Sequence, residues 1–163
     1  MKRTTLDLLA CPVCHGRLES YCSDPNAELC LTGNLSCKTC SVNYSIVNGI
    51  PRFIKAETLN GFNRRFSRLY DWFSLGYRAF SKIAFAYIGM REETGRREIT
   101  DRLEPHGGKV LEVSVGPGVN LPYLMNRSDV GEVFGLDISL GQLIQCQRFV
   151  AKKGWDVDLF LGN

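Results

Sequence analysis

The sequence has no long apolar run. Its longest, Ile83 to Met90, spans eight residues, far short of the roughly 18 that cross a bilayer, which excludes a membrane-spanning chain as the first reading. A secretory leader is also missing, because only a few apolar residues separate Met1-Lys2-Arg3 from Cys11. Strong charge of either sign is lacking too: the net charge is +3, with 23% charged and 44% hydrophobic side chains. That is an ordinary globular composition and excludes wholesale disorder. A length of 163 residues suits one medium domain or two small ones. A soluble, cytoplasmic protein is the expectation.

The small net charge is unevenly placed. Residues 1–54 carry five basic and four acidic side chains, residues 55–109 eleven and seven, and residues 110–163 four and six. A basic middle segment between two near-neutral ones points to three parts with different tasks.

What the chain has in excess is cysteine, seven in all. Without an export signal, pairs at short spacing more often bind metal than form disulfides. Cys11-Pro12-Val13-Cys14 and Cys37-Lys38-Thr39-Cys40 are such pairs. Each can form a knuckle whose thiolates point the same way, and two knuckles complete a tetrahedral site that suits zinc. A redox role for Cys-x-x-Cys normally accompanies a strand-to-helix element, whereas here the motif is duplicated. Four cysteines leave no open position, so the expected zinc is structural rather than catalytic. Cys22 and Cys30 have no partner at knuckle spacing and read as small apolar side chains in strands. Tyr44 to Pro51 reads as a strand ended by the Asn48-Gly49 turn.

These residues resemble a known family. Leu8 to Cys14, Leu35 to Cys40 and Tyr44 to Pro51 are similar to the short zinc-ribbon proteins that act as activating partners of methyltransferases. They are also similar to the N-terminal piece fused to some methyltransferases. The resemblance covers about one third of the chain and implies a protein partner.

In residues 55–108, Phe62, Phe66, Leu69, Tyr70 and Phe73 recur at helical spacing, with Arg64, Arg65 and Arg68 on the other flank. A second helical stretch, Tyr77 to Met90, places Phe80, Ile83, Ala84 and Tyr87 on one side. A third, ending in Pro105-His106-Gly107-Gly108, is expected to carry Ile99 and Leu103 inward. Arginines among aromatics could bind RNA or face a lipid, but a packing face opposite a solvated face explains every aromatic and is preferred. Phe66 to Asp71 resembles the Tyr-Asp element before the core of methyltransferases that act on quinone precursors and similar small molecules. That resemblance implies that Tyr70 closes over the cofactor.

Residues 109–163 read as β-α-β-α-β. Strands are expected at Lys109–Val115, Val133–Leu136 and Asp156–Leu161, with a Gly116-Pro117-Gly118 loop after the first. A helix opens at Leu121-Pro122, and a second opens on the Ser139/Gln142 capping box and closes at Gly154. Glycines at the first turn and an acidic residue, Asp137, ending the next strand suit an adenosine-bearing cofactor. Leu121 stands where a dinucleotide fingerprint needs glycine, and no Gly-Lys-Ser/Thr phosphate loop is present.

Val110 to Gly118 resembles the first motif of class I S-adenosylmethionine-dependent methyltransferases. Gly135 to Ser139 resembles the second, and Leu161-Gly162-Asn163 the start of the third. The resemblance implies a cofactor site in which Glu112 lies near the amino-acid end, Gly116 and Gly118 permit approach, Asp137 holds the ribose, Ile138 packs on adenine and Asn163 bonds its amino group. Ser114 departs from the commonest form, which has glycine. Domains of this class have seven strands, and three are expected here. The expected architecture is therefore α/β: a zinc ribbon over 1–54, a helical connector over 55–108 and an incomplete Rossmann-like parallel unit over 109–163. An open sheet edge is expected near Asp156–Leu161, available for a partner or self-association. Two readings follow. The first is the N-terminal fragment of a methyltransferase acting on a small-molecule acceptor, inactive alone and with no catalytic residue assigned. The second is a non-catalytic zinc-ribbon adaptor for a methyltransferase partner.

Overall fold

The computed structural model describes residues 1–54 and 91–163, with Ile83, Tyr87 and Gly89 between them. The Phe62–Phe73 periodicity and Tyr70 lie outside the described residues. No helix among the described residues is long and apolar enough to cross a membrane.

The N-terminal part begins with a single helical turn, α1 (Arg3–Leu6), followed by an antiparallel sheet of β1 (Leu18–Cys22), β2 (Gly33–Cys37), β3 (Asn43–Val47) and β4 (Ile50–Pro51) in that order. β3 and β4 meet at the two-residue turn the sequence announces. Val47 pairs with Ile50, and Asn48 and Gly49 both have positive φ, 52° and 75°, the geometry that matches the twist of a tight hairpin. Cys22 and Cys30 do not behave as separate apolar side chains: they form a disulfide with Cα atoms 5.5 Å apart.

From residue 91 onward come α2 (Glu92–Asp101), β5 (Val110–Val113), α3 (Leu121–Met125), β6 (Val133–Asp137), α4 (Leu140–Lys153) and β7 (Val157–Leu161). The three strands form a parallel sheet in the order β5-β6-β7. α4 starts and stops as its sequence dictates: Ser139 Oγ accepts from Gln142 N at 3.2 Å, and Gly154 caps the other end at φ 65°. α2 departs from expectation. Ile99 and Leu103 are 71% and 41% exposed, and the helix buries Gly95 and Thr100 instead. Ile83 and Tyr87 are exposed as well.

The parallel sheet is covered on both faces by different partners. Leu159 and Leu161 pack with Leu143, Cys146 and Val150 of α4. On the other face, Phe134 and Phe160 join one cluster with Leu6, Cys11, Leu35, Tyr44 and Ile46 of the ribbon. At the edge expected to be open, Asp156–Leu161, the chain's own N-terminal part meets the end of β7. Arg52 forms a parallel bridge with Leu161, Phe53 N donates to Leu161 O at 2.9 Å, and Lys2 N donates to Asp158 Oδ1 at 3.2 Å. β7 remains the outer strand of its sheet, with its last residue bridged by the chain's own N-terminal part. On β5, at the other side of the sheet, Leu111 and Val113 are 52% and 65% exposed.

Candidate functional site

The two knuckles are built alike. Cys11 O accepts from His15 N at 2.8 Å and Cys37 O from Ser41 N at 2.9 Å, while Cys11 N and Cys37 N donate back to Gly16 O and Val42 O. The residue after each second cysteine is left-handed, His15 at φ 58° and Ser41 at φ 60°. Those turns bring Cys11, Cys14, Cys37 and Cys40 together, with all four sulfurs within 4.8 Å of one another. Cys11 Sγ lies 3.6 Å from Cys40 Sγ, and Cys14 Sγ 3.4 Å from Cys37 Sγ. A zinc tetrahedron with bonds of about 2.3 Å has edges of about 3.8 Å, so the four sulfurs fit the metal.

Gly16 makes that approach feasible, a role not read from the sequence. A Cβ there would sit 2.5 Å from Thr39 Oγ1 and 3.3 Å from Cys14 Sγ. Tyr44 is a second residue the motif did not announce, with its hydroxyl 3.3 Å from Cys11 Sγ. That contact is the main cause holding the Cys11 thiol down at about 6. Cys40 is pushed up to about 12: the backbone bond at Val42 lowers it but is outweighed by the Cys14, Cys37 and Cys11 sulfurs and by burial. Four thiolates this close repel one another without a cation among them.

Residues 2–49 match the family described as Trm112p-like protein. The match spans under a third of the chain and holds all four clustered cysteines. No curated protein matches the chain. The Trm112p-like segment is thus a ribbon domain with a four-cysteine cluster, seated on a parallel sheet.

The second candidate site lies at the C-terminal ends of the parallel strands. Asp137, buried at the end of β6, receives Gly116 N on Oδ2 at 2.7 Å and Ser139 N on Oδ1 at 2.8 Å. Its carboxylate therefore ties the glycine loop to the start of α4. Gly162 N donates to Asp137 O, which places Asn163 beside the same strand end, exposed, while Ile138 is half-buried. The two loop glycines differ. A Cβ on Gly118 would meet Leu121 and Cys146 at 2.9 and 3.0 Å, so this glycine serves internal packing. A Cβ on Gly116 would meet nothing nearer than Ser114 O at 4.0 Å and faces open space. Ser114, where the commonest form of the resembled motif has glycine, is held at φ 59°, a conformation costly for a residue with a side chain.

Glu112 is the most perturbed group of this second site. Asn120 Nδ2 donates to its Oε1 at 2.7 Å, and Arg96 Nη1 donates to Asn120 Oδ1 at 2.6 Å. Its Oε2 is buried without a hydrogen-bond partner among the described residues. Burial pushes its carboxyl up to about 7, the Asn120 bond and the Arg96 charge opposing and the Asp137 charge adding. Glu112, Gly116, Gly118, Asp137, Ile138 and Asn163 thus share the strand-end region, and Tyr70 falls outside the described residues.

Proposed function

We propose that the chain is a methyltransferase-partner adaptor. Residues 1–54 act as a zinc ribbon, residues 55–108 as a helical connector, and residues 109–163 as the first half of a Rossmann-like, methyltransferase-type unit that the ribbon holds. The observation that carries this reading is the parallel bridge between Arg52 and Leu161, with Phe53 N on Leu161 O. There the segment leaving the Trm112p-like residues extends the sheet. Zinc, held by Cys11, Cys14, Cys37 and Cys40, would order a module too small to fold on its own core. The ordered ribbon then covers Phe134 and Phe160 and satisfies Asp158. Burying a phenylalanine stabilises by about 1.5–3 kcal/mol, so the ribbon contributes a large part of the stability of so small a sheet. Its partner class, by resemblance, is a methyltransferase.

A second reading is favoured by one observation, the buried and unbonded Oε2 of Glu112. In it, S-adenosylmethionine lies across the strand ends. Glu112 holds its amino-acid end, Gly116 lines its approach while Gly118 serves the packing beneath it, and Asp137 turns a carboxylate oxygen to the ribose. Ile138 packs on adenine, Asn163 bonds its amino group and Tyr70 closes over it, with the methyl passing to a small-molecule acceptor. Isothermal titration of the folded, zinc-loaded chain with S-adenosylhomocysteine separates the two. The adaptor reading expects no heat of binding. Micromolar binding that disappears in Asp137→Ala favours the cofactor reading.

A further inference from the structure

The loop closed by Cys22 and Cys30 is the platform on which the N-terminal segment rests. Arg3 of α1 donates from Nε to Ala27 O, and from Nη2 to Asp24 O and Pro25 O, all at 2.8 Å. Lys2 forms an antiparallel bridge with Leu29, and Cys30 N donates to Met1 O at 2.8 Å. The opposite side of the same segment grips the parallel sheet. Lys2 N donates to Asp158, Lys2 Nζ lies 2.9 Å from Asp156 Oδ2, and the Thr5 hydroxyl donates to Asp158. Residues 2–5 are thus held between the disulfide loop and β7, so whatever loosens the loop loosens the grip.

We propose that the Cys22–Cys30 disulfide is a reversible modification site, opened by low-molecular-weight thiols, which sets how firmly the ribbon holds β7. The chemistry on the page supports exchange. Four cysteines of this module must stay reduced to bind a metal, yet two others are joined, so the module holds both states of the thiol–disulfide couple side by side. Cys30 is 1% exposed, whereas Cys22 is partly accessible, so the incoming thiolate attacks Cys22 Sγ. The S–S bond breaks and its electron pair goes to Cys30 Sγ, which takes up a proton. A second thiolate attacks the external sulfur of the mixed disulfide, releasing a low-molecular-weight disulfide and the Cys22 thiolate, which takes up a proton. Two electrons and two protons reach the protein in all, and the reverse exchange with a low-molecular-weight disulfide restores the bond. The proposal rests on the docking of residues 2–5 against β7, and its thiol-labelling arm stands or falls independently of the adaptor reading.

The test uses the full, zinc-loaded chain purified in air. Maleimide labelling with intact-mass analysis is expected to leave Cys22 and Cys30 unmodified until a phosphine reductant is added. Both then label while zinc is retained. Amide exchange at Lys2 and Cys30 is expected to become about tenfold faster on reduction, with Cys11 and Cys37 in the knuckles unchanged. A Cys22→Ser/Cys30→Ser chain is expected to show the fast rates in both conditions. Labelling of both cysteines before reduction overturns the pairing. Unchanged exchange at Lys2 and Cys30, or loss of zinc on reduction, overturns the role assigned to it.

Discussion

The hydroxyl of Tyr44 lies 3.3 Å from the sulfur of Cys11, and the ring of the same tyrosine begins an aromatic path to the parallel sheet. Its centroid is 5.2 Å from that of Phe53, which is 6.4 Å from Phe160, which is 6.1 Å from Phe134. The cysteine cluster and the sheet are therefore parts of one packed unit. Tyr44→Phe keeps the ring and removes the donor to a thiolate, so a loss of about 1–2 kcal/mol is expected. Urea unfolding of the zinc-loaded chain measures it, with Phe53–Phe160 packing intact.

Asp158 concentrates the polar part of the docking. It is 6% exposed and accepts Lys2 N and the Thr5 hydroxyl. Asp158→Ala leaves both donors unpaired at a largely buried site, an expected cost of about 2–3 kcal/mol. Asp158→Asn keeps one acceptor and is expected to cost less. Urea midpoints of the two variants check the order.

Ser114 is left-handed at φ 59° in the turn after β5. A side chain there costs roughly 1–2 kcal/mol, part of which glycine returns through unfolded-chain entropy. Ser114→Gly is expected to stabilise by up to about 1 kcal/mol, read as a higher melting temperature. Ser41→Gly in the second knuckle is expected to act in the same direction.

Glu112 makes stability depend on pH. Its folded pKa of about 7 lies above the ordinary 4.5, so between those values the folded chain holds a proton that the unfolded chain releases. The contribution is full below pH 4.5 and is lost as pH rises through 7, an expected decline on the order of 2 kcal/mol. Glu112→Gln keeps the acceptor for Asn120 and does not titrate. Its stability is expected to be flatter over that range, which denaturation at several pH values checks.

Local features of the fold were legible in the sequence, and long-range ones were not. Cys-x-x-Cys spacing marked the knuckles, Asn48-Gly49 marked the hairpin, and Ser139 with Gly154 bounded α4, because each is fixed by residues close in the chain. Ile99 and Leu103 were misread, since the packing of α2 through Gly95 and Thr100 overrides its apolar spacing. The Cys22–Cys30 bond spans eight residues across a loop without a motif. Lys2 and Asp158 lie 156 residues apart and meet through a backbone N–H, which no side-chain pattern records. Asp137 was read as a strand-end carboxylate, and its bonds to Gly116 N and Ser139 N appeared only in the folded chain.

The central claim is that a metal-ordered ribbon holds the parallel sheet, and amide exchange with and without zinc tests it most directly. Removing zinc with a chelator is expected to melt the ribbon, because metal binding supplies its folding energy. If the ribbon holds the sheet, exchange in β6 and β7, from Val133 to Asp137 and from Val157 to Leu161, speeds up about tenfold or more once Phe134, Phe160 and Asp158 lose their cover. Unchanged exchange in β6 and β7 after the ribbon has melted would contradict the account.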